Sequence, residues 1–316
     1  MCPPGEVGPV RPLAWVSKLG PPLAVIACIG SGSALLPVTL VANTSLAARA
    51  CPSATAFSQA VASSARGAAI DAQVRLSTTL STRGEVTGRV LTLNTAAGSR
   101  SKNLGVESFA SAAQSNVVAF GQADPSAGST VAAIDLQTGC EYSLWSSPDV
   151  VRSAVLDGSL RSLYVHSVSA DDRSDQGVRR IDISSASAAA AVPALAAAAP
   201  FGITFSTSMQ WSLDGDALGV QSCGLSACRT RVLEMAGGGI ETFADGSQGQ
   251  LVGLTASKVV TFDACPDLPC GLAAVDRATS SKTAFDIDAY GATLAKDAQG
   301  AVITVLTAAG AKEIRP

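Results

Sequence analysis

Histidine is almost missing from this chain. Of its 316 residues, one is histidine, His166. Any His-based triad or His-rich metal site would have to use that single imidazole. It falls inside the apolar run Leu163-Tyr164-Val165-His166-Ser167-Val168 and reads as a hydrogen-bonded structural residue of a packed strand. No Gly-x-Ser-x-Gly elbow occurs either, so nucleophilic hydrolysis has no signature. Aromatic residues make up 4% of the chain and charged residues 15%, which leaves Ala, Val, Leu and Ile to build the core. Lysine and arginine are scattered, and the net charge is −3, so binding to nucleic acid through phosphate neutralisation is not expected. No catalytic, cofactor-binding or metal-ligating set emerges from these counts.

What the chain does have is a repeat. Five apolar segments end on an acid or amide and then turn: Val90 to Asn94, Ala132 to Asp135, Arg179 to Asp182, Arg231 to Glu234 and Ala273 to Asp276. The steps between their last residues are 41, 47, 52 and 42. A strand-only repeat near 40–50 residues predicts an all-β fold, a β-propeller with one four-stranded blade per repeat. With 47% hydrophobic residues the chain can fill such a core. Six blades are expected over residues 51–316, with residues 1–50 as a separate leader. Strands b, c and d of the first blade fall in 72–104, and the last blade, 292–315, is incomplete. Ring closure by an N-terminal strand from Ser53–Ala69 would hide both free sheet edges; the same segment could form a short helix. The Ala-rich tract 186–199 reads as an inserted linker in blade three and accounts for the 52-residue step.

Trp211-Ser212-Leu213-Asp214-Gly215 resembles the Trp/Phe-Ser-Pro-Asp-Gly turn of WD40-like, TolB-type propellers, and Val155-Leu156-Asp157-Gly158 resembles a weaker copy. The chain departs from that pattern by placing Leu213 where proline is usual. The resemblance covers roughly residues 70–316 and implies a propeller and export. It implies no catalytic residue.

The first 50 residues order themselves as basic, apolar and small. Arg11 and Lys18 precede the apolar stretch Leu23 to Ala42, and Ala48-Arg49-Ala50 offers a small-x-small cleavage pattern. A cleaved signal peptide is the preferred expectation. The alternatives are an uncleaved anchor, with membrane contact only through residues 23–42, and a lipoprotein acylated at Cys28. All three export the chain. Without Cys2 and Cys28 six cysteines remain. Cys223–Cys228 and Cys265–Cys270 are related by a 42-residue shift of both members, matching the step from Glu234 to Asp276. Equivalent positions in consecutive blades of an exported protein favour two hairpin disulfides over one zinc site. Facing residues across a hairpin can meet the Cα separation of about 4.4–6.8 Å that a bridge needs. Cys51 and Cys140 are left as a long-range pair.

The b–c loops and d–a connections of a propeller open on one face. That face should carry both cysteine hairpins, Trp145, Phe201, Tyr290 and the acids Asp171, Asp172 and Asp175, placed in a long b–c loop over Ser169–Gly177. It is the expected binding surface, for a protein or glycan ligand. The three acids also suggest cation binding, though a solvated hairpin tip explains them as well. Asp286 to Asp297 opens like a calcium loop, but Tyr290 occupies its fifth position, so it reads as a d–a connection. The functional expectation is a non-enzymatic binding or scaffolding module outside the cytoplasm. The alternative is an extracellular enzyme, glycan-active or quinone-dependent, using acids near the propeller axis.

Overall fold

The computed structural model describes residues 72–95, 98–111, 116–124, 128–172, 174–183, 190–191, 206–223, 228–236, 240–243, 251–262 and 270–316. Among them there is no helix, and 22 strands form six antiparallel sheets. Sheet one holds β1 (Ala72–Leu80), β2 (Val86–Thr95) and β3 (Gly98–Leu104). Sheet two holds β4 (Glu107–Ala110), β5 (Val117–Asp124), β6 (Gly128–Asp135) and β7 (Glu141–Ser147). Sheet three runs β8 (Val150–Leu156), β9 (Ser162–Val168), β10 (Asp175–Asp182), β11 (Ala190–Ala191). Sheet four runs β12 (Ser206–Trp211), β13 (Ala217–Cys223), β14 (Cys228–Glu234), β15 (Ile240–Phe243). Sheet five runs β16 (Leu251–Leu254), β17 (Lys258–Phe262), β18 (Cys270–Asp276), β19 (Lys282–Ala289), and sheet six β20 (Gly291–Asp297), β21 (Gly300–Thr307), β22 (Gly310–Ile314).

Each sheet is an up-and-down meander, and the first strands of sheets two to six adjoin one another in order. Apolar clusters lie between successive sheets. Leu91 and Leu93 of sheet one meet Val118 and Phe120 of sheet two, while Val117 and Ala119 of the same β5 face Val151 and Leu163 of sheet three. Sheets three and four join through Tyr164 and Leu218, four and five through Val232 and Leu254, five and six through Leu272 and Ile303. Strands covered on both faces carry mostly apolar residues, and β9 is buried from end to end, its polar Ser162, His166 and Ser167 included. This is a β-propeller: small aliphatic side chains packed between radially arranged sheets.

The recurring acid of the third strand is a turn residue. Asp135 Oδ1 accepts the Gln137 amide and Oδ2 the Thr138 hydroxyl, and Asp276 Oδ1 accepts the amides of Ala278 and Thr279. Asp side chains commonly close turns in this way. The two Asp-Gly segments differ from expectation. Ser212 N–H donates to Ala217 O and Gly215 N–H to Ser212 O, with Gly215 at φ 75°. In sheet three the same bonds run from Asp157 to Ser162 O and from Leu160 to Asp157 O, and the left-handed position is Leu160 at φ 55°. Asp157-Gly158 therefore sits two residues earlier in its turn than Asp214-Gly215 does.

Cys223 and Cys228 form a disulfide, directly opposite in the β13–β14 register with Cα atoms 3.9 Å apart, closer than expected. Cys140 and Cys270 are also disulfide-bonded. Cys51 and Cys265, their expected partners, lie outside the described residues, as do Phe201, Ser53–Ala69 and the leader. Among the described residues no helix is long and apolar enough to cross a membrane.

Candidate functional site

In a meander the start of the first strand and the second-to-third connection fall at the same edge, here called the loop face. Asp171 and Asp172 lie there, exposed, in a loop whose ends meet through Ser169 N–H to Ser174 O at 2.8 Å. Asp172 Oδ1 accepts the Ser174 amide, and this hydrogen bonding holds its carboxyl below the usual range.

Asp175 does not belong with them. It starts β10, paired with Val168, and a bulge between Asp175 and Val178 turns its carboxylate inward. The expected loop to Gly177 therefore ends at Ser174. Asp175 Oδ1 contacts His166 Nε2 at 2.8 Å and accepts the Gly177 amide at 2.7 Å; Oδ2 accepts the Ser222 hydroxyl of sheet four at 3.2 Å. Burial alone would raise this carboxyl. The hydrogen bond and attraction of His166, with the Gly177 and Ser222 donors, instead hold it down at about 2. Arg231, buried on β14, lies in the field of the same carboxylate. His166 is 0% exposed. The order His–Asp–Ser puts the carboxylate in the middle, whereas a nucleophile–base relay needs the imidazole there. The arrangement ties two sheets together.

Similar ties recur along this face. Ser129 Oγ accepts the amide of Val151 in the next sheet, and Gln221 Oε1 accepts that of Leu251. His166 and Gln221 occupy equivalent places, each four residues beyond the residue paired with the third-strand acid. Near the starts of the inner strands Arg152 pairs with Glu107, while Arg89 donates to Ser108 O at 2.6 Å. Sequence reasoning missed these contacts, which join residues 45 and 19 positions apart without a local pattern.

Of the other expected residues, Trp145 is half-buried against the cluster between sheets two and three. Tyr290 alone connects β19 to β20, its amide bonded to Leu306 O. Asp286 and Asp288 lie on β19, and Asp297 lies at the far end of β20, bound by Arg315. The calcium-loop spacing is thus split between opposite faces, and among the described residues no group of three or more metal-ligating side chains assembles.

The opposite face carries the first-to-second and third-to-fourth turns. It holds a cleft of about 240 Å³ lined by Leu213, Asp214, Ser257, Lys258, Lys296 and their neighbours. In it Lys296 pairs with Asp214, and behind its wall buried Arg277 pairs with Glu234 and donates to the lining Ala256 O at 2.9 Å. Nothing in the sequence pattern pointed to this cleft.

No family model matches the chain, and no curated protein does. Among solved structures it is similar to TolB from Acinetobacter baumannii, at 12% identity and a TM-score of 0.48 over 75% of this chain and 60% of that one. It is also similar to the β-propeller domain of the Trilobed protease from Pyrococcus furiosus, at 11% identity and a TM-score of 0.42 over 77% and 76% of the two chains. A third likeness is to a structure from an analysis of two prolyl endopeptidases, at 13% identity and a TM-score of 0.47 over 76% and 41%. The chain thus spans less than two thirds of that TolB chain's length.

Proposed function

We propose that this chain is an exported propeller that binds a protein or glycan ligand on its loop face and performs no chemistry of its own. The observation that carries the reading is the use made of the only histidine. His166 is fully buried and held by Asp175, whose oxygens are already shared with Gly177 and Ser222. These groups position the loop that presents Asp171 and Asp172, and a rigid loop on a scaffold suits recognition. The disulfide Cys223–Cys228 beside them supports export, since such bonds persist in oxidising compartments.

The alternative, an extracellular enzyme acting through acids near the axis, draws on the Glu107–Arg152 pair on adjoining inner strands. The two readings separate in one experiment. The full chain, purified from the envelope or medium, is used to capture ligand from envelope extract and from a glycan array. Charge reversal of Asp171 and Asp172 should abolish retention of a discrete ligand, and reversal of Asp214 on the opposite face should not. Retention by the Asp171/Asp172 variant would contradict the binding reading. Turnover of a glycan or quinone substrate that Glu107→Gln abolishes would establish the enzyme instead.

A further inference from the structure

We propose that the Cys223–Cys228 disulfide is a redox control for the acidic loop of the neighbouring sheet, acting through Ser222 and Asp175. Its consequence for ligand binding rests on the loop-face reading above; the coupling itself does not.

Three observations place the control there. First, the bridge joins two residues five apart and closes the last pair of a ladder that continues inward through Ser222↔Arg229, Gln221↔Thr230 and on to Ala217↔Glu234. The inner part of that ladder is anchored by Val220 and Val232 in the clusters on its two faces. Opening the bridge therefore leaves the sheet assembled and frees its mouth, where local opening begins. Second, the residue next to the bridge is Ser222, 5% exposed, whose hydroxyl crosses to the Asp175 carboxylate in sheet three. Third, Asp175 directly follows Ser174, whose carbonyl closes the acidic loop with the Ser169 amide. It orients buried His166 near the end of β9 and fixes the Gly177 amide at the start of β10, so both stems of the loop meet at one carboxylate. The path runs from the disulfide to its chain neighbour Ser222, by a hydrogen bond to Asp175, and from there along the chain to Ser174, where the loop of Asp171 and Asp172 ends.

The switching reaction is thiol–disulfide exchange with a dithiol reductant. Its thiolate attacks the sulfur of half-buried Cys223, the S–S bond breaks with Cys228 leaving as thiolate, and a mixed disulfide forms. The second thiol of the reductant, as thiolate, then displaces Cys223. Two electrons and two protons pass to the protein, leaving two thiols, and the reductant departs as an internal disulfide. Cys223 and Cys228 are then free to separate. Ser222 loses its clamp, and Asp175 keeps His166 and Gly177 but loses its link to sheet four.

Amide hydrogen exchange on the full chain tests this without any ligand, so its outcome is independent of whether the loop face binds one. The Cys223→Ser/Cys228→Ser double variant opens this bridge while sparing those of Cys140 and Cys270. Exchange at Ser169 and Gly177 should rise by up to about tenfold, the worth of one hydrogen bond. Ser222→Ala, with the disulfide intact, should loosen the same amides. Residues 157–162 on the opposite face should stay at the wild-type rate in both. Wild-type exchange over 169–177 in the double variant, or acceleration spread evenly over all sheets, would overturn the proposal. So would a Ser222→Ala variant that leaves the loop unchanged.

Discussion

The indole N–H of Trp211 donates to the carbonyl oxygen of Leu156 at 2.6 Å, across the boundary between sheets four and three. The same ring meets Tyr164 edge-on at 5.5 Å. One side chain thus ties the last residue of β12 to the last residue of β8 by a polar contact and to the interior of β9 by an aromatic one. Trp211→Phe should keep the edge contact and orphan the carbonyl, costing about 1–2 kcal/mol. Trp211→Ala should cost more, about 3–5 kcal/mol, by adding a cavity. Urea denaturation followed by circular dichroism measures both; a Trp211→Phe variant as stable as wild type would leave the hydrogen bond with no contribution, and equal costs for the two variants would remove the packing contribution instead.

Leu213 stands where the resembling family carries proline, and the structure gives a reason. Its amide donates to Leu254 O of sheet five at 3.0 Å, beside a parallel bridge between Ser212 and Leu254. Proline has no N–H to give. Leu213→Pro should therefore destabilise by about 1 kcal/mol, partly offset by the stiffer unfolded chain. A variant more stable than wild type would show that this bond contributes little.

The Asp175 carboxyl is depressed to about 2 in the folded protein. A depressed acid adds stability that is fully present above its unfolded value, about 3.9, and is lost as pH falls through the folded value. The contribution should be about 1–2 kcal/mol after allowance for solvent screening. Denaturation midpoints of wild type and Asp175→Asn should differ by this amount at pH 6 and converge toward pH 2. A difference independent of pH would assign the effect to packing instead.

Much of the fold was legible because its signals are local. Asp135 and Asp276 recur at blade spacing because each closes the turn that follows it, and turn chemistry needs only neighbouring residues. Strands buried on both faces advertise themselves as continuous apolar runs, as β18 does over Leu272–Val275. Asp175 was misplaced for the opposite reason: a bulge, invisible in the pattern, drew it from the loop into the strand. Asp157-Gly158 looked like a copy of Asp214-Gly215, but the left-handed turn position fell to Leu160, a residue type that gives no warning of it. The ties between sheets, such as Ser222 to Asp175 across 47 positions, depend on packing and leave no local mark.

The proposed export rests on the order of residues 1–50 and is tested at the terminus. Protein recovered from outside the cytoplasm should begin near Cys51. Intact chain in the membrane fraction would indicate the anchor, and acylated Cys28 the lipoprotein. Full-length chain soluble in the cytoplasm, with thiols free, would refute export.

Site-specific photocrosslinking in intact cells tests most directly whether ligand is held on the loop face. A photoreactive residue replaces Ala170, beside the acids of the loop face, or Asp214 on the turn face, both of which reach solvent. One discrete, saturable adduct is expected from position 170 and none from position 214. An adduct from position 214 alone would move the binding site to the cleft of the opposite face and contradict binding on the loop face.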